Sequence, residues 1–286
     1  MEAGLLALFL GLGSAITLAS ANAFVKASGD VLMSRAVLSL SGAVMIAPVA
    51  FFVPLPTPET WALLALSVPA HMAYQTALIR AMHRGDLSLV FPVMRGSAPL
   101  LTAIAAFLFL GESLSWLAVA GLVVASLATM VFAIPENAGA ETDPKRRRAA
   151  LGWALLTGAG IALYNVVDAR GVRAAPSPFT FIVWMFILDS AGVNLAAIWT
   201  RRSRYLDGLR TKWRYGATAA AFSIVSYSMA LYGFSIAPVA YISALRETSV
   251  VFAAILGLWM LKEGFGYRRI TAASVLAGGL IMIQLG

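Results

Sequence analysis

Apolar residues follow one another in long runs along this chain, and the runs are separated by charges or by clusters of proline, glycine and serine. A helix needs about 20 mostly apolar residues to cross a bilayer. Ten runs approach that length, at approximately 3–24, 34–53, 60–79, 88–110, 114–134, 149–169, 178–199, 214–236, 238–260 and 270–285. The short alternating pattern of membrane β-barrel strands is not seen. The sequence therefore predicts an all-α, polytopic membrane protein with ten transmembrane helices.

The composition agrees with this prediction and argues against several kinds of chemistry. Of 286 residues, 60% are hydrophobic and 12% are charged, whereas a soluble domain has about 25% charged residues. The chain has no cysteine and only two histidines, His71 and His83, so the close ligand groups of a zinc site are not available. We therefore expect no metal, no cofactor and no enzymatic activity. A channel or a receptor is the alternative from another class, but no filter loop or soluble domain is recognisable.

The net charge of +8 predicts an orientation in the membrane rather than a nucleic-acid partner. If the ten helices alternate in direction, 17 of the lysines and arginines in loops lie on one side and two, Arg170 and Arg173, lie on the other. Positively charged loops remain in the cytoplasm. The basic side is therefore predicted to be cytoplasmic, and both termini are predicted to be periplasmic.

Two stretches of the first half of the chain recur in the second half. The stretch "AYQTALI" resembles "SYSMALY", which aligns Tyr74 with Tyr227 at an offset of 153 residues. The stretch "VMRGSAPLL" resembles "ALRETSVVF", which aligns Arg95 with Arg246 at an offset of 151 residues. A repeat of this length predicts that the chain is built from two related halves.

Each predicted half contains five helices. The first repeat covers 1–134, a polar linker covers 135–148, and the second repeat covers 149–286. Because five is odd, the second repeat must enter the membrane from the opposite face. Related loops should then differ in charge: "PLPTPE" has no basic residue, whereas the loop between the seventh and eighth helices has six. The sequence thus predicts inverted repeats, an architecture of secondary transporters in which the substrate site lies between the repeats.

The fourth predicted helix carries an arginine between two prolines, in "VFPVMRGSAPLL". Pro92, Gly96 and Pro99 are expected to loosen this helix at membrane depth, which is tolerated against protein or a water-filled cavity. Arg95 is costly to expose to lipid, so it should face the interior or reach a membrane surface. It lies roughly 10 Å from the helix start, within reach of a headgroup. A role at the site and an anchoring role therefore stay open.

The fourth helix with its "P…R…P" pattern and following "LGE", and the matching "R…KE" of the ninth helix, resemble the drug/metabolite transporter superfamily in its EamA-type branch. Within that branch, the sequence is most similar to the YddG-type bacterial amino-acid exporters. The resemblance implies a secondary carrier in the bacterial inner (plasma) membrane that exports small metabolites by alternating access. It implies neutral or aromatic amino acids as substrates, with multidrug or other amphipathic-metabolite efflux as the alternative. We expect the carrier to function as a monomer.

Polar residues of the third and eighth helices lie at helical spacing. His71, Tyr74 and Gln75 share one face of the third helix, and Ser223 and Tyr227 share one face of the eighth. Because Tyr74 and Tyr227 are equivalent positions of the repeats, the two faces should confront each other around a central substrate-binding cavity. The alternative is hydrogen bonding between helices, which contributes about 0.6 kcal/mol for each bond.

Further residues at membrane depth are candidates for the same site. Tyr164 and Asn165 on the sixth helix and Trp184 on the seventh could line the substrate side chain, although Trp and Tyr are also common at membrane interfaces. Asp189 is a candidate proton carrier or ion-pair partner of Arg246. A protonated Asp189 that donates a hydrogen bond to a carbonyl is the alternative.

Arg95 and Arg246 are predicted to lie at opposite gates of the cavity, each on a helix that rearranges during transport. Glu112 and Glu263, also equivalent in the two repeats, are expected to cap the fifth and tenth helices. A site with many aromatic groups and few fixed charges suits a small zwitterion, whereas a phosphorylated substrate would need more cationic groups. The expected partners are therefore a small-molecule substrate and the lipid bilayer.

Overall fold

The computed structural model describes residues 2–26, 31–85, 87–133, 144–202, 204–261 and 267–286. Every regular element within these ranges is helical, and none is a strand. The α-helices are α1 (Glu2–Lys26), α2 (Val31–Ile46), α3 (Pro58–Arg84), α4 (Leu87–Leu110), α5 (Trp116–Ala133), α6 (Pro144–Ala174), α7 (Pro178–Arg201), α8 (Arg204–Ile236), α9 (Val239–Glu247), α10 (Ser249–Leu261) and α11 (Tyr267–Leu285). A short 3-10 helix, Ala47–Phe51, follows α2.

The helices agree with the predicted runs except at the ninth. Within the described ranges, nine helices are long and apolar enough to cross a membrane. The ninth run is divided into α9 and α10, which have only Thr248 between them. The last five residues of the predicted linker already belong to α6, which begins at Pro144. The rest of the linker lies outside the described residues, and so does Glu263.

Local sequence signals explain where several helices begin and end. The Thr57 hydroxyl accepts a hydrogen bond from the Thr60 N–H at 3.2 Å, and the Ser177 hydroxyl accepts one from the Phe179 N–H at 3.3 Å. Each cap satisfies a backbone donor of the first turn, and the proline that follows has the φ angle of a helix. Gly111, directly after α4, has a φ of 68°, which glycine adopts without steric cost.

The fourth helix is continuous, which differs from the predicted loosening. α4 includes Pro92 and Pro99 without an interruption. Gly96 serves the packing of this helix, because a Cβ atom there would lie 2.8 Å from the Ser126 carbonyl oxygen of α5. Small residues let two membrane helices approach closely. In this structure the glycine therefore brings α4 against α5 instead of opening α4.

The interruption lies in the second half, at Thr248. The Thr248 N–H donates to the Leu245 carbonyl at 3.1 Å, and the Thr248 hydroxyl donates to the same carbonyl at 2.7 Å. The N–H bond spans three residues, as in a 3-10 turn, and such turns within a helix often mark functional hinges. The division directly follows Arg246 and Glu247, so the charged residues of the ninth run lie beside it.

The helices of the two halves pack against each other. α3 packs on α6 and α8 packs on α1, while α4 also contacts α6, and α9 and α10 contact α1. α5 packs on α11, and α2 packs on α7. Each of these contacts joins a helix that ends before residue 134 to one that begins after residue 143. The interior of the molecule is therefore largely an interface between the two halves of the chain.

Large apolar side chains cover the outer surface. Phe51 and Trp116 are each 90% exposed, and Trp199 is 79% exposed. Soluble monomers rarely expose large contiguous apolar patches, whereas lipid tails contact such a surface favourably. At one end of the bundle, the Arg80 and Arg84 guanidinium groups lie 4.9 and 5.4 Å from the centre of the Trp153 ring. That end is the one predicted to be cytoplasmic.

Candidate functional site

A fully buried carboxylate, Asp168 of α6, is the centre of a group of polar side chains from three helices. From α3, the Ser67 hydroxyl donates to Oδ1, and Nε2 of His71 lies 2.9 Å from Oδ2. From α8, the Tyr227 hydroxyl donates to Oδ2 at 2.5 Å. Ser67 and His71 are four residues apart, so they share one face of α3. Donors therefore satisfy both oxygens of a carboxylate that burial would otherwise make unfavourable.

Aromatic rings surround His71. Its ring stacks on Tyr164 with 4.3 Å between centroids, and it meets Tyr227 edge-on at 5.8 Å. Tyr74 meets Tyr164 edge-on at 5.4 Å, and Phe186 of α7 meets Tyr227 edge-on at 6.3 Å. Contacts of this geometry stabilise by about 0.5–1.5 kcal/mol each beyond the burial of area. These five residues, His71, Tyr74, Tyr164, Phe186 and Tyr227, form what we call the aromatic cluster.

Close backbone packing positions one side of the aromatic cluster. A Cβ atom at Gly160 would lie 2.9 Å from the Tyr74 Cα. The missing side chain lets α3 and α6 approach at this level of the membrane. Tyr164 follows Gly160 by four residues, about one helical turn, and its ring contacts the rings of both Tyr74 and His71. The predicted grouping of α3 and α8 around Tyr74 and Tyr227 thus includes α6 as the third wall.

One guanidinium borders the aromatic cluster without a counter-ion. Arg246 of α9 lies with its Cζ 5.2 Å from the centre of the Tyr227 ring. Its Nε is buried without a hydrogen-bond partner, and no ion pair joins it to a carboxylate of the described residues. Asp189 of α7 likewise has a buried Oδ1 without a donor. The predicted pairing of Arg246 with Asp189 is therefore not formed, and no described carbonyl accepts a bond from Asp189.

Arg95 joins the first half to the division between α9 and α10. Its Nη2 donates to the Ser249 hydroxyl at 2.5 Å, and its Nη1 lies 3.4 Å from Oε1 of Glu247. The Arg95 and Glu247 side chains are 15% and 5% exposed, respectively. The guanidinium therefore faces the protein interior rather than the headgroups. Its ion-pair partner is Glu247, the carboxylate next to Arg246 in the sequence.

Three further predicted residues are buried or half-buried. Asn165 is buried, and its Nδ2 donates to the Thr102 hydroxyl at 3.3 Å and the Ser243 hydroxyl at 3.5 Å. Asn165 therefore links α6 to α4 and α9, while its Oδ1 is buried without a donor. Gln75 and Ser223 are half-buried, and neither side chain bonds to a described residue.

The predicted residue Trp184, and Ser226 next to the predicted Tyr227, contribute to helix packing. The Trp184 ring meets the Trp61 ring edge-on at 5.0 Å, near the start of α3, and it contacts no ring of the aromatic cluster among the described residues. Ser226, on the α8 stripe beside Tyr227, exchanges hydrogen bonds with Ser14 of α1 at 2.7 Å in each direction. Hydrogen bonding between helices therefore accounts for Ser226, whereas Tyr227 bonds to the central carboxylate.

Glu112 caps a different helix from the predicted one. Its Oε2 accepts a hydrogen bond from the Val239 N–H at 2.9 Å, at the start of α9. The start of α5 is capped instead by Ser115, whose hydroxyl accepts a hydrogen bond from the Ala118 N–H at 3.1 Å. α5 begins at Trp116, so Glu112 is too far upstream to reach its first turn. The prediction that Glu112 caps α5 is therefore wrong, because the carboxylate crosses to the second half.

The sequence interpretation missed Asp168, Ser67 and Glu247 as interior polar groups. Asp168 follows Tyr164 by four residues, so helical spacing alone places it on the same face of α6. Ser67 precedes His71 by four residues and could have been found in the same way. Glu247 directly follows Arg246 in the sequence, so the two side chains do not share a helix face. No local pattern reveals that its partner is Arg95, since that contact depends on how the two halves pack.

Long apolar helices with polar groups at the centre of the bundle are the features of a multi-pass membrane protein. The model of the EamA-like transporter family matches this chain twice, at residues 3–134 and 148–285. The chain belongs to the EamA-like transporter family, within the drug/metabolite transporter superfamily. It is therefore a membrane transporter of small metabolites, and members of this family are generally not enzymes.

One solved crystal structure has the same overall fold. It superposes with a TM-score of 0.77 at 17% sequence identity, over 98% of this chain and 96% of that chain. At this level of identity the likeness concerns the fold alone. A search among curated proteins found no match.

Proposed function

We propose that the protein is a secondary carrier that exports neutral or aromatic amino acids across the bacterial inner membrane, as the YddG-type exporters do. The observation that carries the proposal is the position of Arg246, a guanidinium without a counter-ion beside the aromatic cluster. A guanidinium binds a carboxylate through two parallel hydrogen bonds, and aromatic rings give apolar contact to a side chain. An aromatic amino acid offers both groups.

The carrier is built from two inverted halves, 1–134 and 149–286, joined by the linker at 135–148. What supports this arrangement is that the family model matches once in each half. The helix contacts agree with it, because α3 on α6 and α8 on α1 are equivalent pairs when the halves are exchanged. The substrate site lies at their interface, which alternating access opens to either side. Both termini are periplasmic, and one chain contains a complete site, so the carrier acts as a monomer.

Within this site the predicted residues take separate roles. His71, Tyr74, Tyr164 and Tyr227 give the apolar wall, while Gln75, Ser223 and the Oδ1 of Asn165 remain for the polar groups of the substrate. Trp184 contributes indirectly, because its contact with Trp61 holds α7 against α3. Arg95 belongs to the gating apparatus because it binds the division between α9 and α10.

The alternative within the superfamily is efflux of amphipathic drugs. The aromatic cluster would suit the apolar part of such a molecule. Many amphipathic drugs are cations, however, and the uncompensated Arg246 guanidinium would repel a second positive charge at low effective dielectric. The charge at this position therefore favours a carboxylate-bearing substrate.

Counterflow in proteoliposomes tests the proposal with a matched pair of ligands. We expect unlabelled L-phenylalanine inside to drive entry of labelled L-phenylalanine, whereas L-phenylalaninol, which lacks the carboxylate, should compete at least ten-fold more weakly. Arg246→Gln should raise the apparent KM for phenylalanine by about ten-fold or more, the effect of losing about 1.5–3 kcal/mol of charge-assisted bonding. Arg246→Lys should retain part of the affinity.

The control is Arg80→Gln, which removes an exposed guanidinium that also lies over an aromatic ring, that of Trp153. It should leave the KM unchanged. Equal competition by phenylalanine and phenylalaninol would show that no carboxylate is recognised, and a panel without any counterflowing amino acid would contradict the proposed substrate class.

A further inference from the structure

Among the residues that the structure describes, Asp168, Asp189 and Glu247 are interior carboxylates with different surroundings. Asp168 receives hydrogen bonds from Ser67 and Tyr227 and lies 2.9 Å from His71 Nε2. Glu247 is paired with Arg95. Asp189 has a buried oxygen without a donor. Of these three, Asp168 is therefore the one that contacts a histidine, His71, whose side chain can be either neutral or charged.

The two members of this pair differ in their access to the surroundings. The Asp168 side chain is 0% exposed, whereas the His71 side chain is 12% exposed. The Nε2 atom of His71 faces Asp168, and no described residue bonds to its Nδ1. A proton on Nδ1 can therefore exchange with water that reaches the exposed part of the ring, while the Nε2–H bond to Asp168 keeps the ring in place.

We propose that His71 and Asp168 form a proton-binding site that exchanges one proton for one substrate molecule, so that the carrier is a proton antiporter. This inference rests on the proposed function, because it assigns the driving ion of the same site. With the proton bound, an imidazolium faces a carboxylate and the pair is neutral. Without it, Nδ1 of His71 is unprotonated, Nε2–H still faces Asp168, and the pair carries one negative charge.

The side chains around His71 and Asp168 can stabilise both the protonated and the deprotonated pair. The deprotonated pair keeps the Ser67 and Tyr227 donors on Asp168, and the Arg246 guanidinium beside Tyr227 compensates its charge. The titratable and charged groups around the pair come from every helix that packs on α3 and α6: Tyr74 (α3), Arg95 (α4), Tyr164 (α6), Asp189 (α7), Tyr227 (α8) and Arg246 (α9).

The proton on His71 and the ammonium group of the substrate should exclude each other, because both place a positive charge at the same position. A zwitterion that places its carboxylate on Arg246 brings an ammonium group into the aromatic cluster beside His71. Two positive charges repel strongly where water is excluded, so the ammonium is favoured after Nδ1 has released its proton to water. The same proton is taken up from the other side when the substrate leaves. Proton entry from an acidic periplasm therefore drives substrate export.

Proteoliposomes with a trapped pH-sensitive dye test this coupling separately from substrate recognition. Counterflow of labelled L-phenylalanine at equal pH on both sides reports the proposed function alone. Addition of external L-phenylalanine to acid-loaded vesicles reports the proton: we expect substrate entry to be accompanied by proton efflux and by accumulation against the phenylalanine gradient. The quantity compared between variants is the ratio of protons to substrate moved, so a lower turnover does not obscure the result.

Asp168→Asn and His71→Gln should each lower this ratio at least ten-fold, because neither retains the pair. Asp189→Asn removes an interior carboxyl that has no ion-pair partner among the described residues, and it should keep the wild-type ratio. Wild-type protein that counterflows phenylalanine without moving protons would overturn the inference and leave the proposed function intact. Loss of coupling in Asp189→Asn with normal coupling in Asp168→Asn would overturn the assignment, and wild-type protein without any amino-acid counterflow would overturn both proposals.

Discussion

Glu112 and Arg173 form an ion pair across the two halves of the chain, with 2.6 Å between Oε1 of the carboxylate and Nη2 of the guanidinium. The same carboxylate accepts the Val239 N–H at the start of α9. The same guanidinium donates to the carbonyls of Phe234 and Ala237, at 2.7 and 3.1 Å, where α8 ends. The loop after α4 is therefore bound to the ends of α6 and α8 and the start of α9. This network joins these four elements at the end predicted to be periplasmic, and we expect it to hold that end closed.

Weakening this network should open that end. Glu112→Gln keeps an acceptor for the Val239 N–H but loses the charge opposite Arg173, and a hydrogen bond to a charged group contributes about 1.5–3 kcal/mol. Arg173 is 32% exposed, so solvent should limit the effect to the low end, about ten-fold in the opening equilibrium. A cysteine introduced by Ser223→Cys should then react about ten-fold faster with an impermeant maleimide added outside.

The matched control for this prediction is Glu59→Gln, an exposed acid in the first turn of α3. It removes a carboxylate without an ion pair among the described residues and should leave the labelling rate of Ser223→Cys unchanged. Equal rates in the Glu112 and Glu59 variants would show that the network does not hold this end closed.

The buried pair of Arg95 and Glu247 should behave as a unit in stability. Removing one partner leaves an unpaired buried charge, which costs about 3–5 kcal/mol. At about 2–4 °C per kcal/mol for a chain of this size, Arg95→Gln should lower the apparent Tm of the detergent-purified protein by roughly 6 °C or more. Glu247→Gln should have a similar effect.

The double variant with both substitutions provides the control for this pair. Because neither charge of the pair is left without its partner, it should recover at least half of the loss in Tm. Additive losses in the double variant would mean that the two side chains act independently. The ion pair between Arg95 and Glu247 would then contribute nothing to the free energy of unfolding.

Cysteine accessibility should separate the two faces of α3. Gln75 and Tyr74 are half-buried on the side of the aromatic cluster, whereas Ala73 and Thr76 are exposed on the outer surface of the bundle. In a chain without native cysteine, Gln75→Cys and Tyr74→Cys should react with a small hydrophilic thiol reagent and be protected by substrate. Ala73→Cys and Thr76→Cys face lipid and should stay unreactive. The reverse pattern would contradict the predicted cavity.

The orientation remains a prediction that reporter fusions can test. A fluorescent protein that matures only in the cytoplasm should stay dark when fused after Gly286, and alkaline phosphatase at the same position should be active. The physical reason is the concentration of Lys and Arg in the loops of the other side. Fluorescence of the fusion would reverse the orientation and exchange the sides assigned to the two gates.

The positions of the membrane helices followed from the sequence because the bilayer acts on each segment separately. A run of about 20 apolar residues must form a helix to satisfy its backbone, whatever its neighbours are. The division of the ninth run did not follow in this way. The prolines and glycine predicted a loosened α4, but Gly96 packs on α5, and the 3-10 turn lies at Thr248, which no local signal marks.

The side chains of the candidate site were likewise predictable in part from helical spacing and in part only from the packing of the helices. Helical spacing grouped His71 with Tyr74, and the repeat related Tyr74 to Tyr227, so the participation of α3 and α8 was predictable. That Asp168 joins His71 to Tyr227 was decided by the packing of α6 between those helices.

By itself, the sequence determined the helical class, the number of apolar segments and the family pattern, because hydrophobic length and loop charge act over tens of residues of one segment. Only the tertiary structure decided which charges meet. Arg95 binds Glu247 rather than lipid headgroups, Glu112 caps α9 rather than α5, and Arg246 stays apart from Asp189. Ion pairs and hydrogen bonds act over a few ångströms, and those distances are set by how the two halves pack.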